Sequence, residues 1–330
     1  MKVRFAVPVV LVLGAGSVKA QDLQSPVCPG GNLVTMVAQD ACQQAYDVFQ
    51  VLAPQLGLAL TGGNATAGQG SVLGGVGHFS IGIRGNAFSG MLPDITDPAF
   101  TQSASGAQRR TLPTSGHIVG LPTADAAIGL FRGLPLALTN ILGLDALVSA
   151  SYVPSVNTNN VSVEPNSNWQ FGYGARLGLL SESIITPGVS VTWIERDLPR
   201  ADIVGTASNA RLDVHDAKVK TNAWRIVASK SLILFGVAVG IGRDHYDESA
   251  DLTGTYTQSG IEASTSVPNS SQTLDRTNVF ADLSFNLPLF RIVGEIGQAS
   301  GGTVHTYNSF SGGRADRSLV YGSIGLRLTR

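Results

Sequence analysis

The chain carries little charge, almost no cysteine and no long apolar helix candidate. Charged residues fill 14% of 330 positions and nearly cancel, leaving a formal net charge of −1. A basic surface able to neutralise a run of phosphates is therefore missing, which argues against nucleic acid as a partner. Away from the first residues, no stretch approaches the roughly 20 apolar positions that a membrane-spanning helix needs. HExxH, GxSxG and paired CxxC patterns are absent, and the five histidines are scattered. Without those motifs the chain gives no ground to expect an enzyme or a cofactor. The two cysteines, Cys28 and Cys42, lie close together, and in an oxidising compartment they predict one disulfide. Closing so short a loop contributes roughly 3 kcal/mol in the chain-entropy account.

What is present begins with an export signal. Lys2 and Arg4 precede the apolar run FAVPVVLVLGAG, and SVKA follows with Val18 and Ala20 at a cleavage spacing. Residues 1–20 therefore read as a signal peptide, with a mature chain from near Gln21.

Residues 21–73 differ from the rest. Asp40 is a candidate N-cap, Cys42, Tyr46, Phe49 and Val51 or Leu52 recur at helical spacing, and Pro54 is a stop signal. This predicts one short amphipathic helix. The glycine-rich LTGGNATAGQGSVLGG that follows lacks the Lys-Ser/Thr ending of a phosphate loop and reads as a connector. The segment is expected to be a disulfide-stapled plug or periplasmic piece.

From Gly74 to Arg330 the dominant signal is period two. In Asn168 to Leu180, Trp169, Phe171, Tyr173, Ala175, Leu177 and Leu179 alternate with Gln170, Gly172, Gly174, Arg176 and Gly178. Phe79, Ile81 and Ile83 alternate with Ser80 and Arg84, and Val279, Ala281, Leu283 and Phe285 alternate with Asp282 and Ser284. About ten such segments occur, the weakest near Ala124 to Phe131. Successive strand side chains point to opposite faces, so each segment has one apolar face and one of Gly, Ala, Ser and isolated charges. The connections alternate between tight ones, such as KS at Lys230 and NLP at Asn286, and long polar ones, such as DESADLTGTYTQSGIEASTSVPNSSQT.

A water-facing sandwich sheet would carry many Lys, Glu and Thr opposite its core face. Small residues suit the crowded interior of a modest barrel instead. Tyr152, Trp169, Trp193, Trp224 and Phe285 gather on the apolar face near strand ends, where an interfacial girdle would lie. On this pattern, over roughly Gly74 to Arg330, the chain resembles bacterial outer-membrane β-barrel proteins in general. The resemblance implies a closed antiparallel transmembrane barrel of about ten strands, or twelve if Ser89 to Gly116 hides a hairpin. It also implies outer-membrane lipid and the barrel-assembly machinery as partners. One departure is the ending GLRLTR, where barrels of this class usually end in an aromatic residue. The N-terminal helix and glycine-rich lead-in resemble the hatch of fatty-acid-channel barrels.

Inside such a barrel, His78, Arg84, Asp125, Arg176, Arg196, Arg225, Asp282, Arg291, Glu295 and Arg327 would line the lumen, as a paired lattice or as a lining that selects solutes. Two further clusters, Asp213, His215 and Asp216, and Asp244, His245 and Asp247, could share one rim height. A turn at Lys230 and Ser231 would set His215 level with Asp247, where carboxylates and imidazoles could hold a cation. Three functions fit the sequence. They are a passive channel or transporter for small or hydrophobic solutes, a structural or adhesive barrel with a filled lumen, and a secreted soluble β-domain.

Overall fold

In a computed structural model the described residues are 25–93, 106–157, 161–207, 209–314 and 316–330. The expected signal peptide lies outside them. Ten antiparallel strands form a ring: β1 (Phe79–Pro93), β2 (Thr114–Phe131), β3 (Gly143–Tyr152), β4 (Trp169–Leu180), β5 (Gly188–Asp197), β6 (Ala210–Ser231), β7 (Phe235–Gln258), β8 (Ile261–Asn286), β9 (Phe290–Ala299) and β10 (Leu319–Thr329). Each pairs with its chain neighbours, and β10 pairs with β1 from Ser80↔Thr329 to Phe88↔Tyr321, which closes the sheet. At the seam the backbone N–H of Phe79 donates to the carbonyl of Arg330 at 3.0 Å, and that of Arg330 returns a bond at 2.9 Å. The non-aromatic C-terminus thus takes part in the closure. No helix of the described residues is long and apolar enough to cross a membrane, which says nothing of crossing by strands.

The connections at one end of the ring are short: 132–142, 181–187, 232–234 and 287–289. At the other end they are long or extend as strand. Short turns mark the periplasmic end of a transmembrane barrel and long connections its outer end. The long polar stretch expected as a loop after Asp247 is not one. It continues β7 and β8 to a two-residue turn at Ser259 and Gly260, both at positive φ (49° and 80°), as a tight hairpin of matching twist requires. The reason is tertiary: Leu252, Tyr256 and Ala263 face a buried partner while Thr257, Ser264 and Ser266 face out, a pattern that serves a packed sheet beyond the lipid. Ala201–Ala207 and Val161–Pro165 widen that outer sheet beside β6.

The buried partner is helix α1 (Leu33–Thr61). It is far longer than the periodicity alone predicts, spanning about 43 Å at 1.5 Å per residue. Its N-cap is Asn32, whose Oδ1 accepts the Thr35 N–H at 2.9 Å; Asp40 lies inside the helix and pairs with Arg110 at 3.0 Å. Pro54 does not stop it. Proline cannot supply the N–H that would reach the carbonyl four residues back. That carbonyl belongs to Gln50, and it accepts Gln272 Nε2 of β8 at 3.2 Å. The barrel wall therefore replaces the lost helical bond. The Cys28–Cys42 disulfide staples the lead-in to the first turns of α1, and Thr265 Oγ1 near the tip of β8 donates to Pro29 O at 3.0 Å. The helix thus begins at the outer end. Close approach to the wall needs glycine at Gly254, where a Cβ would come within 2.1 Å of the Cys42 nitrogen.

Gln272→Leu is expected to lower stability by about 1–3 kcal/mol by stranding the Gln50 carbonyl and its other partner, Glu248. In a Pro54→Ala background the restored N–H covers Gln50, so the same substitution should cost measurably less; equal costs in both backgrounds, read by thermal melting in detergent, would refute this account.

Candidate functional site: the plugged lumen

Past Thr61 the chain continues down the bore as an irregular strand. Gly62 lies against Asn86, Gly70 sits between the backbones of Gly188 and Ser229, and Val72 packs at Gly143 and Gly178 near the periplasmic end. The N-terminal segment therefore occupies the barrel along its length. The inward charges are arranged around it.

A helix C-terminus leaves its last carbonyls without partners and carries partial negative charge. Here three strands answer those carbonyls. Asn86 Nδ2 of β1 donates to Leu58 O and Ala59 O at 3.1 and 3.2 Å. Arg196 of β5 reaches Leu60 O at 3.4 Å, Arg225 of β6 reaches Thr61 O at 3.0 Å, and Arg84 of β1 bonds Gly62 O. The same arginines hold carboxylates from the wall. Arg84 and Arg196 share Asp125 at 2.6 and 3.0 Å, and Arg225 bonds Asp244. Farther down, Arg176 forms a fork on Asp145 at 2.9 and 2.6 Å, and Asp145 accepts the Leu73 N–H at 3.2 Å. Arg327 donates to the carbonyls of Thr66 and Ala67. Glu295 accepts the Asn64 N–H at 2.8 Å and Asp282 the Gly68 N–H at 3.1 Å. Arg291 is only partly buried and lies 3.5 Å from Gly68 O, while His78 sits below β1 beside Gly75.

Residues beyond those expected to line the lumen complete the set. Asn86, Asp145, Asn278, Tyr246 and Tyr321 are buried, and Arg276 donates to Ser300 O at 2.7 Å. Asp145 and Asn278 were legible as inward strand positions. Arg276 lies between the stretch expected as loop, which ends at Thr273, and the strand expected from Asn278, so its facing was hidden.

At the outer mouth, beyond the apolar belt, a lid made by 106–112 and 303–310 closes over α1. Two short strands, Thr111–Leu112 and Ser309–Phe310, pair in parallel, and Tyr307 Oη donates to Ala107 O at 2.8 Å. Asp47 of α1 clasps this lid by accepting the N–H groups of Tyr307 and Asn308 at 2.9 and 2.8 Å, with Asn308 Nδ2 at 2.8 Å. Burial outweighs these bonds and pushes the Asp47 carboxyl up to about 6. Gln55 acts as a strand fragment, accepting the Met91 N–H at 2.7 Å and donating to Met91 O at 2.9 Å.

The expected rim cluster does not assemble. The β6–β7 turn is Leu232 to Leu234, so Ser231 pairs with Gly236 and His215 stands opposite Asp251, four positions from Asp247. An apolar turn takes the place expected of Lys230, whose Nζ instead bonds the carbonyls of the neighbouring turn, Ile184 O at 3.0 Å and Thr186 O at 3.3 Å among them. His215 lies 3.6 Å from Asp202, Asp216 pairs with Arg200 at 2.7 Å, and Asp213 with Arg211 at 2.8 Å. His245 lies between Asp275 at 2.9 Å and Asp247 at 3.3 Å, and the first of these holds its pKa up. Asp244 is not on the rim at all; it is fully buried on the inward face with Arg225. Among the described residues no group of three metal-binding side chains converges.

The exterior decides the class. Ile81, Ile83, Phe171, Ile226, Val239, Leu283, Ile296 and Ile324 are all half or more exposed on the outside of the ring. Tyr173, Trp193 and Trp224 form a continuous aromatic row across β4, β5 and β6, with centroids 5.8 and 6.4 Å apart. Phe235 and Phe285 pair near the short-turn end at 5.4 Å. Above the aromatic row the outward positions of β7 become Arg243, His245 and Asp247. An apolar belt between two aromatic levels, around a closed sheet with a polar interior, is a lipid-facing surface. The chain is an outer-membrane β-barrel.

No protein family and no curated protein matches this barrel. Among solved structures it is similar to the transport unit of the autotransporter AIDA-I from Escherichia coli, at 6% identity over 87% of this chain and 98% of that one, with a TM-score of 0.31. The toluene transporter TbuX from Ralstonia pickettii gives 11% identity, 82% and 92% coverage and a TM-score of 0.25. OmpT of Vibrio cholerae gives 12% identity, 77% and 97% coverage and 0.16.

A raised carboxyl stabilises the fold most below its unfolded value near 4, and that contribution is lost as pH rises through its folded value. The stability that Asp47 contributes should therefore fall between about pH 4 and 6, as burial of the ionised carboxylate costs more than its hydrogen bonds return. Asp47→Asn is expected to flatten this part of the melting-temperature profile; an unchanged slope would remove Asp47 as its source.

Proposed function

We propose that this outer-membrane barrel is sealed, and that its role is structural or adhesive: it holds its own N-terminal segment across the bore and presents an outer platform of disulfide-stapled lead-in, lid and long hairpin. The observation that carries this reading is the filling of the lumen. The cavity between plug residues 65–69 and the wall has a volume of about 10 Å³, room for one water-sized particle. Passive flow of solutes through such an interior would require the plug to move. The inward charges then act as a lattice that satisfies the plug backbone, and the rim histidines act in ion pairs and not in catalysis. Lipid is the partner of the exterior.

Transport by displacement of the plug is the second reading. It is favoured by the irregular backbone of residues 62–73 and by the many charged groups that would line a water-filled bore once that segment left.

In planar bilayers the intact protein should give no single-channel steps, and regular steps from the intact protein would favour the transport reading. An epitope inserted at Ser25, which is exposed at the outer end, should be stained by antibody on intact cells. Staining only after the outer membrane is permeabilised would show that the N-terminal segment does not traverse the bore.

A further inference from the structure

The charges around the periplasmic half of the plug do not cancel by contact. Arg84 and Arg196 share the two oxygens of Asp125, and Arg176 takes Asp145. Arg327 is 95% buried and makes no ion pair within 4 Å among the described residues; it meets only the carbonyls of Thr66 and Ala67. Three guanidinium groups are thus in contact with two carboxylates, and the fourth, Arg327, touches neither. The other nearby acids, Asp282 and Glu295, each give one oxygen to an N–H group, those of Gly68 and Asn64, and keep the other buried without a partner; neither lies within 4 Å of Arg327. A small cavity lies among these groups. Its lining includes Gln69, Arg84, Asp125, Arg176 and Arg327. Arg84 Nη2 and Arg327 Nε are buried donors with no protein partner, and Gln69 carries an unpartnered amide oxygen whose place can be exchanged with its nitrogen by a simple flip.

An unmatched buried cation with idle N–H groups is costly unless something negative or strongly accepting meets it. A water could accept from both arginines and donate to Gln69, but it would leave Arg327 without a counter-charge in contact. A small anion answers both needs. Both oxygens of Asp125, the carboxylate that lines the cavity, are already held by arginines, which reduces its repulsion.

We propose that this cavity binds one monovalent anion of halide size, held by Arg84 and Arg327 with Gln69 turned to donate its amide N–H, and that the anion locks residues 65–69 of the plug to β1 and β10. The site exists only while the plug is seated, so it rests on the sealed-barrel reading.

The test uses the full-length protein in detergent at constant ionic strength and pH. Replacing gluconate, which is too large for the cavity, by chloride or bromide should raise the melting temperature by several degrees in a saturable way. Arg327→Gln should abolish the difference. Crystals grown in bromide should show an anomalous peak between Arg84 and Arg327 in the unaltered protein, a readout that survives if the variant fails to fold. Equal melting in all three anions together with a peak-free cavity, meaning a water only, overturns the proposal, as does an undiminished halide effect in a folded Arg327→Gln protein. Conductance from the intact protein in every anion would instead mark failure of the sealed-barrel reading.

Discussion

The structure depends on how the end of one helix is satisfied. Inside a lipid-facing barrel the carbonyls of Leu58 to Gly62 have no bulk water to turn to, and each unsatisfied one would cost free energy comparable to a lost hydrogen bond. Asn86, Arg84, Arg196 and Arg225 supply the donors from three strands, β1, β5 and β6, that are far apart in sequence. Their positive charge also complements the negative end of the helix dipole. The wall and the plug are thus one hydrogen-bonded unit. Neither has a satisfied interior without the other, which is why arginines face a bore that the N-terminal segment fills.

The same logic explains the outer half of the molecule. A helix of this length cannot be covered by strands of bilayer length, which need only about 9–11 residues. β6, β7 and β8 run to 22, 24 and 26 residues and continue past the lipid to wrap it. Their outward faces change from apolar to charged and hydroxylated where the membrane ends. Their inward faces keep the small and apolar residues that meet Ala41, Ala45 and Phe49 of α1. The lid closes the remaining side through Asp47, and β1 meets Gln55 at Met91; both are polar side chains that an isolated amphipathic helix would leave in water.

What could be read from the residues alone followed from period two. Alternation separates lipid from lumen strand by strand, so the ten-strand barrel, its apolar exterior and the inward placement of residues such as Arg84, Arg176 and Arg225 were legible. Turn length gave the two ends. The Cys28 and Cys42 spacing gave a disulfide. Less legible were features in which a distant element supplies the missing partner. Pro54 is a valid stop signal for a helix in water, and only the Gln272 amide overrides it. The polar run after Asp247 looks like loop because its facing partner, α1, is some 200 residues earlier in the chain. The rim cluster depended on a turn position, and a shift of a few residues in a hairpin moves every cross-strand neighbour.

By itself the sequence determined the class of environment on each side of the sheet, because side-chain alternation is a local consequence of extended backbone. It determined also that the outer face of the sheet is built for lipid. Tertiary structure alone decided that the bore is occupied, that the N-terminal segment emerges at the outer end, and that the arginines hold a helix and do not line an open pore. Those outcomes rest on contacts between residues far apart in the chain, and no local periodicity records which buried donor will meet which carbonyl.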